Sequence, residues 1–260
     1  MKYLSKLIPK DLKDTIKLLI NYVYPRNITC IICDNPIKLS NTYSLCKNCY
    51  TNLHFILDGC NKCGKPIMNF NLERESLITC NYCYNKTFYF DKVISCIAYD
   101  ELSKKLILDY KYNNKTYLCR YIAQLMSEKF MLEEIKSDYI LFVPLHKKRL
   151  RKRGFNQSEK IAKKLSDLIN IPVLDCIIRS KNTKRLYSLN KRGREKELKN
   201  SFTVKDNISL IKNKNIILID DIFTTGSTSN EISKLLKING VNNIYVFTLL
   251  TTYPNVYIKE

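Results

Sequence analysis

The 260-residue sequence contains no stretch approaching about eighteen uninterrupted apolar residues, which excludes a transmembrane helix. The nearest candidate, Ile16–Tyr24, is broken by Lys17 and Asn21 and lacks a small-residue cleavage site, so it is not a signal peptide either. Acidic residues are in deficit, 24 Asp+Glu against 44 Lys+Arg, and only ten of those 44 are arginine. The net charge of +20 is therefore not by itself a sign of nucleic-acid binding, because a Lys/Asn/Ile bias is what an AT-rich coding sequence produces without selection. Long internal repeats are absent apart from a duplicated cysteine pairing. Hydrophobic residues make up 45% and aromatics 11%, which rules out disorder throughout. The length allows one large domain or two small ones with a real core. A soluble cytoplasmic protein is the expectation.

Cysteine, by contrast, is plentiful. Eight of the eleven fall into four Cys-x-x-Cys pairs: Cys30/Cys33, Cys46/Cys49, Cys60/Cys63 and Cys80/Cys83. Cys96, Cys119 and Cys176 lie in apolar surroundings and are expected to be buried, inert thiols. Disulfides do not persist in a reducing compartment, so paired cysteines argue for metal. Two residues between cysteines let a tight turn aim both sulfurs at one ion, and two such turns complete a tetrahedral site. Twelve residues separate the first pair from the second, sixteen the third from the fourth, and ten the two sets. The simplest assignment is two consecutive four-cysteine sites holding two Zn2+ ions. Interleaved pairing, first with third and second with fourth, is also compatible with the spacing. Thioredoxin-like redox chemistry and rubredoxin-like iron are the rival readings, and four pairs between residues 30 and 83 fit metal better than redox. Four thiolates leave no open position for water, so the role is structural. His54, between pairs two and three, is either a further ligand or an ordinary surface or packed histidine.

Eight thiolates with two divalent ions would lower the net charge to about +16. Distribution matters more than the sum. Residues 146–200 hold 18 Lys+Arg against five Asp+Glu, and seven of the ten arginines. Concentrated guanidinium points to phosphate recognition, because arginine grips oxyanions in bidentate fashion.

Residues 11–24 place Leu12, Ile16, Leu19 and Val23 at helical spacing, stopped by Pro25. Residues 27–86 show little periodicity and need metal to fold. Beyond Phe88, strands are predicted over 93–99, 140–144, 173–178, 215–219 and 244–250. Helices are predicted over 100–110, 116–134, 158–168 and 230–238, with Ile161, Leu165 and Leu168 sharing one face. The alternation predicts a parallel sheet in an α/β domain. The resulting division is an amphipathic helix over 1–26, a double zinc ribbon over 27–87 and an α/β domain over 88–260.

The most informative stretch is Ile216–Glu231, IILIDDIFTTGSTSNE. An apolar strand ends in Asp220 and Asp221, and a short loop leads into a helix. Backbone N–H groups in such a loop, with the helix N-terminus, form a positively polarised cup for a phosphate. Thr224, Thr225, Ser227 and Thr228 add hydroxyl donors, and Gly226 lets the backbone approach closely. The carboxylates can accept from a ribose 2′,3′-diol and help position Mg2+, with the Asp221 side chain expected to face solvent. Asp and Thr are also ordinary helix N-caps, but one of each would suffice for that.

Two acidic residues followed by TTGST resemble the phosphoribosyl diphosphate (PRPP) motif of type I phosphoribosyltransferases. VPLHKKRLRKRGFNQSEKIA, residues 143–162, resembles the ComF family, as do Pro25-Arg26 before the first cysteine pair and Lys111-Tyr112. The resemblance covers nearly the whole chain. It implies a zinc-ribbon module before a phosphoribosyltransferase-like domain, PRPP and Mg2+ as ligands, and a link to natural competence. It makes Asp220, Asp221 and Arg194 the catalytic residues and Thr224, Thr225, Gly226, Ser227 and Thr228 the 5′-phosphate cradle. Arg149, Arg151, Arg153, Gly154, Asn156 and Gln157 fall where the pyrophosphate loop belongs. Residues 179–202 fall where the mobile loop belongs, with Arg179, Thr183 and Arg194 matching and with Leu186 and Glu197 departing from the expected Gln and Asn. Two functions follow as expectations. One is phosphoribosyl transfer to a nitrogen nucleophile. The other is non-catalytic binding of single-stranded DNA or sensing of PRPP, with competence DNA-translocation proteins as partners at the inner face of the membrane. Tyr82, Tyr84, Phe88 and Tyr89 would then stack bases; packing under the zinc module is the preferred reading of these aromatics.

Overall fold

The computed structural model describes residues 28–66, 80–83, 86–183 and 191–253. The helix expected within residues 1–26 lies outside them. The chain divides into two compact units, Met1–Asn52 and Leu53–Glu260.

In the first unit, the Cys30–Cys33 turn is closed by Asp34 N–H donating to the Cys30 carbonyl at 2.9 Å. A bridge between Thr29 and Pro36 flanks it. Cys46 leads into α1, Lys47–Asn52. Ile31 N–H donates to the Ser44 carbonyl at 2.9 Å and so ties the two halves of the ribbon together.

The second unit contains the second ribbon and the sheet. Its elements run β1 Lys92–Ala98, α2 Glu101–Tyr112, α3 Cys119–Leu132, β2 Tyr139–Phe142, α4 Lys147–Arg153, α5 Gln157–Ile169 and β3 Ile177–Arg179. They continue with α6 Lys191–Leu198, β4 Phe202–Val204, β5 Ile216–Phe223, α7 Ser227–Ile238 and β6 Ile244–Thr251. The sheet order is β1-β6-β5-β2, with each pair parallel, while β3 and β4 form a separate antiparallel pair. Ile216–Ile219 of β5 are completely buried, as a central parallel strand covered on both faces requires.

The predicted alternation of strands and helices is present, with local differences. Residues 173–178 are strand only from Ile177, because Val173 makes an isolated bridge to Ile140. Ile161 and Leu165 face the core, but Leu168 is exposed at the end of α5. The basic run 147–153 is a helix with no buried residue rather than a loop; His146 caps it and Gly154, at φ 82°, ends it. Six cations on seven residues have no apolar face to bury, which is why periodicity did not reveal it.

Candidate functional site: an acidic pair beside a phosphate cup

The C-terminal ends of parallel strands are where an open α/β sheet presents its loops and helix N-termini to a ligand. Here β2 and β5 lie side by side, with Phe142 opposite Ile219. The chain leaves β2 through α4 and enters α5 at Asn156. The Asn156 side chain accepts from Ser158 N–H at 3.1 Å and donates to the Val143 carbonyl at 3.1 Å. That capping anchors the start of α5 beside the end of β5. From its first turn, Gln157 Nε2 approaches Asp221 Oδ2 at 3.5 Å and Ser158 Oγ approaches Asp220 Oδ1 at 3.4 Å. The Tyr110 hydroxyl donates to the Gln157 carbonyl at 2.9 Å, which brings the end of α2 to the same place.

Strand β5 runs through the acidic pair to Phe223, so both carboxylates are on strand backbone. Asp221 does not face solvent as expected. Its side chain is 14% exposed and pairs with Lys111 Nζ at 3.1 Å. Burial pushes Asp220 up to about 7, with the Asp221 charge adding to it; the Asp221 N–H, Lys111 and Arg179 pull the other way. Without a ligand, burial thus favours a protonated Asp220, while Asp221 is paired with Lys111. An all-oxygen donor set of this kind suits Mg2+ or a sugar diol.

Beyond Phe223, residues 222–229 and Asp220 line a cavity of about 40 Å³. Gly226 has φ 70° and caps α7. A Cβ there would come within 2.7 Å of the Phe223 ring, so both conformation and space demand glycine. Thr225 and Ser227 share a hydroxyl hydrogen bond of 2.9 Å. The cup opens onto the first turn of a twelve-residue helix, where unpaired N–H groups favour an anion.

The basic residues diverge. Arg149 donates to the Thr183 carbonyl at 2.7 Å, Arg153 lies 5.0 Å from the Tyr112 ring centroid, and Arg151 is exposed. Arg179 is buried and donates to Thr183 Oγ1 at 2.6 Å. Burial pulls its guanidinium down to about 10, and Arg149 reinforces this. Its Nε and the Gln157 Oε1 have no hydrogen-bond partner among the described residues. Arg194 lies on α6 with its side chain outside the description, and Leu186 and Tyr84 are also outside it. Glu197 bears electrostatically on Arg179. Sequence reasoning assigned no role to Lys111 or Ser158. Lys111 had a signal, in the Lys111-Tyr112 pair; Ser158 had none beyond its place after Asn156-Gln157.

The cysteines form two consecutive clusters, Cys30/Cys33/Cys46/Cys49 and Cys60/Cys63/Cys80/Cys83, each with all four sulfurs within 4.8 Å of one another. A tetrahedral zinc with bonds of about 2.3 Å sets its sulfurs about 3.8 Å apart. The Sγ separations are 3.7 Å for Cys33–Cys46, 3.8 Å for Cys60–Cys83 and 3.4 Å for Cys63–Cys80. The sites therefore fit zinc, and the interleaved pairing is excluded. His54 is no ligand: its Nδ1 meets Asp100 Oδ2 at 3.0 Å. Burial pushes the Cys96 thiol up to about 12 and Cys176 to about 11, consistent with inert thiols.

Residues 19–87 match the double zinc ribbon domain family. Over 225 residues the chain is 31% identical to Competence protein F of Haemophilus influenzae, covering 78% of this chain and 95% of that protein. It is 26% identical over 229 residues to DNA utilization protein YhgH of Salmonella typhimurium, covering 86% of this chain and 96% of that one. Among solved structures, glutamine phosphoribosylpyrophosphate amidotransferase from B. subtilis overlaps with 15% identity and a TM-score of 0.38, over 54% of this chain and 30% of that one.

Proposed function

Because the chain belongs to the ComF family, we propose that it binds PRPP with Mg2+ above the end of β5 and transfers the phosphoribosyl group to a nitrogen nucleophile during the handling of incoming DNA. The observation that carries this reading is the acidic pair of β5 running directly into a hydroxyl-lined cup closed by the N-terminus of α7. In this reading the cup holds the 5′-phosphate, and Asp220 and Asp221 hold the ribose diol and Mg2+. Gln157, Ser158 and Lys111 keep the two carboxylates in place. With Mg2+ bound, charge growing on the departing diphosphate is offset. Negative charge beside the sugar favours the cation-like ring as the bond to diphosphate breaks.

A DNA role is favoured by α4, which exposes Lys147, Lys148, Arg151 and Lys152 and sets the half-buried Arg153 5.0 Å from the ring centroid of Tyr112, itself 60% exposed. The names of the relatives, competence and DNA utilization, support the same direction. Phe88 and Tyr82 are poor candidates for base stacking, since Phe88 stacks on Phe90 at 4.8 Å and Tyr82 is partly buried. No helix among the described residues is long and apolar enough to cross a membrane.

Isothermal titration with PRPP tests the reading. Binding is expected only with Mg2+ and is expected to vanish in the Asp220→Ala, Asp221→Ala double variant. Unchanged affinity in that variant would remove the phosphoribosyltransferase reading. The same titration with single-stranded oligonucleotide across salt concentrations tests the role of α4. Neutralising Arg149, Arg151 and Arg153 should lower the slope of log affinity against log salt by about 2.

A further inference from the structure

The second zinc knuckle reaches the phosphate cup at two points. Tyr82, between Cys80 and Cys83, donates its hydroxyl to the Thr225 carbonyl at 2.8 Å. Lys65, two residues after Cys63, is buried and donates to the Thr252 carbonyl at 2.7 Å and to Thr252 Oγ1 at 2.6 Å. Thr252 N–H in turn donates to the Phe223 carbonyl at 3.2 Å. Both ends of the Phe223–Thr225 turn are thus tied to the knuckle. The Lys65 ammonium also lies 4.8 Å from the Tyr82 ring centroid and 5.8 Å from that of Phe223. Below, Phe223 packs edge-on against Phe90 at 5.9 Å, in the same buried cluster as Cys60, Cys63 and Cys83.

We infer that Tyr82 is a positioning residue for the phosphate cup, so that zinc in the second cluster and phosphate in the cup stabilise each other. This rests on the reading of the cup as a phosphate site. The physical step is short. The Thr225–Gly226 peptide is trans, so its C=O and N–H point in opposite directions. Holding the Thr225 carbonyl on Tyr82 turns the Gly226 N–H away from the ribbon and fixes it for an anion. Tyr82 can hold that carbonyl only while the turn from Cys80 to Cys83 is itself held by metal. Coupling of this kind is reciprocal: a ligand that orders the cup must also steady the knuckle.

Tyr82→Phe removes the hydroxyl and keeps the ring. In the full-length, zinc-loaded chain, PRPP affinity by titration is expected to fall about three- to tenfold, the range for one lost hydrogen bond. Saturating PRPP with Mg2+ should slow the release of one of the two zinc ions to a chelator in the native chain, and should do so less in Tyr82→Phe. Hydrogen exchange of the peptide covering residues 224–229, measured without ligand, should be faster in Tyr82→Phe. Native affinity together with native exchange in the variant would overturn the inference. If the native chain does not bind PRPP, the functional reading falls, and the ligand-free exchange alone decides whether Tyr82 positions the cup: unchanged exchange rejects it and faster exchange sustains it.

Discussion

Two knuckles in this chain share one pattern, Cys-x-x-Cys-x-x-Pro, at residues 30–36 and 60–66. They share backbone geometry too: Thr29 bridges Pro36 as Gly59 bridges Pro66, and both place the residue after the second cysteine in the left-handed region. That residue is Asp34, with φ 59°, in the first knuckle and Gly64, with φ 64°, in the second. Asp34 is exposed, whereas a Cβ on Gly64 would come within 2.6 Å of the Val93 carbonyl oxygen of β1. The next residue repeats the contrast, Asn35 being exposed and Lys65 buried. Metal chemistry set the common geometry. What lies against each knuckle set the side chains, and the second knuckle is part of the core that carries the cup.

Removing a ligand should separate the two most sharply. Cys60→Ser is expected to unfold or loosen the sheet-bearing unit and abolish PRPP binding, since structural zinc contributes about 10–16 kcal/mol of apparent folding free energy in small fingers. Cys30→Ser should cost one zinc by elemental analysis and leave residues 53–260 folded. Equal loss of PRPP binding in both variants would erase the distinction drawn between the clusters.

A smaller effect is expected one residue beyond each second cysteine. Gly64→Ala combines a strained left-handed backbone with a backbone clash and should cost about 2–4 kcal/mol in chemical denaturation. Asp34→Ala carries over an existing left-handed non-glycine conformation at an exposed position, so its cost should stay below about 1 kcal/mol. Similar midpoints for the two variants would show that the contact with β1 contributes little.

The smallest effect is one of pH, and it belongs to the second unit. Asp220 is raised in the folded protein from an ordinary 3.8 to about 7, so the ligand-free fold prefers it protonated. Its contribution to stability is full below pH 3.8 and is lost as pH rises through about 7. In the proposed reading Mg2+-PRPP is held by the carboxylate form, so its affinity should move oppositely, rising with pH by up to about tenfold per unit below 7 and levelling above it. Asp220→Asn should flatten that profile. A native profile already flat between about pH 5 and pH 8 would mean that Asp220 is not the group titrating.

Much of the site was legible because its parts are local. Residues 216–231 hold strand, carboxylates, loop and helix start within one continuous segment, and the four cysteine pairs declare their chemistry by spacing. Less legible was whatever depends on contacts across the chain. The Lys111–Asp221 pair joins residues from different elements, so nothing around Asp221 announced that it is covered. The divergence of Arg149, Arg151 and Arg153 has two causes: the helical backbone turns Arg151 about 200° away from the other two, and Arg149 and Arg153, one turn apart on the same face, are drawn to the Thr183 carbonyl and the Tyr112 ring. A run of charge carries no hydrophobic period, and so α4 left no trace in the pattern.

Four metal-binding cysteine pairs, a parallel α/β unit and the strand–carboxylate–cup segment are written into short stretches of chain, because turn geometry, metal valence and burial of a central strand act locally. Long-range packing, not local pattern, groups the cysteine pairs consecutively, sets Lys111 against Asp221, and lets a tyrosine inside a zinc knuckle hold the carbonyl of a loop 143 residues away. Those are outcomes of packing, where the partner of a group is chosen by which surfaces the folded core brings within hydrogen-bond reach.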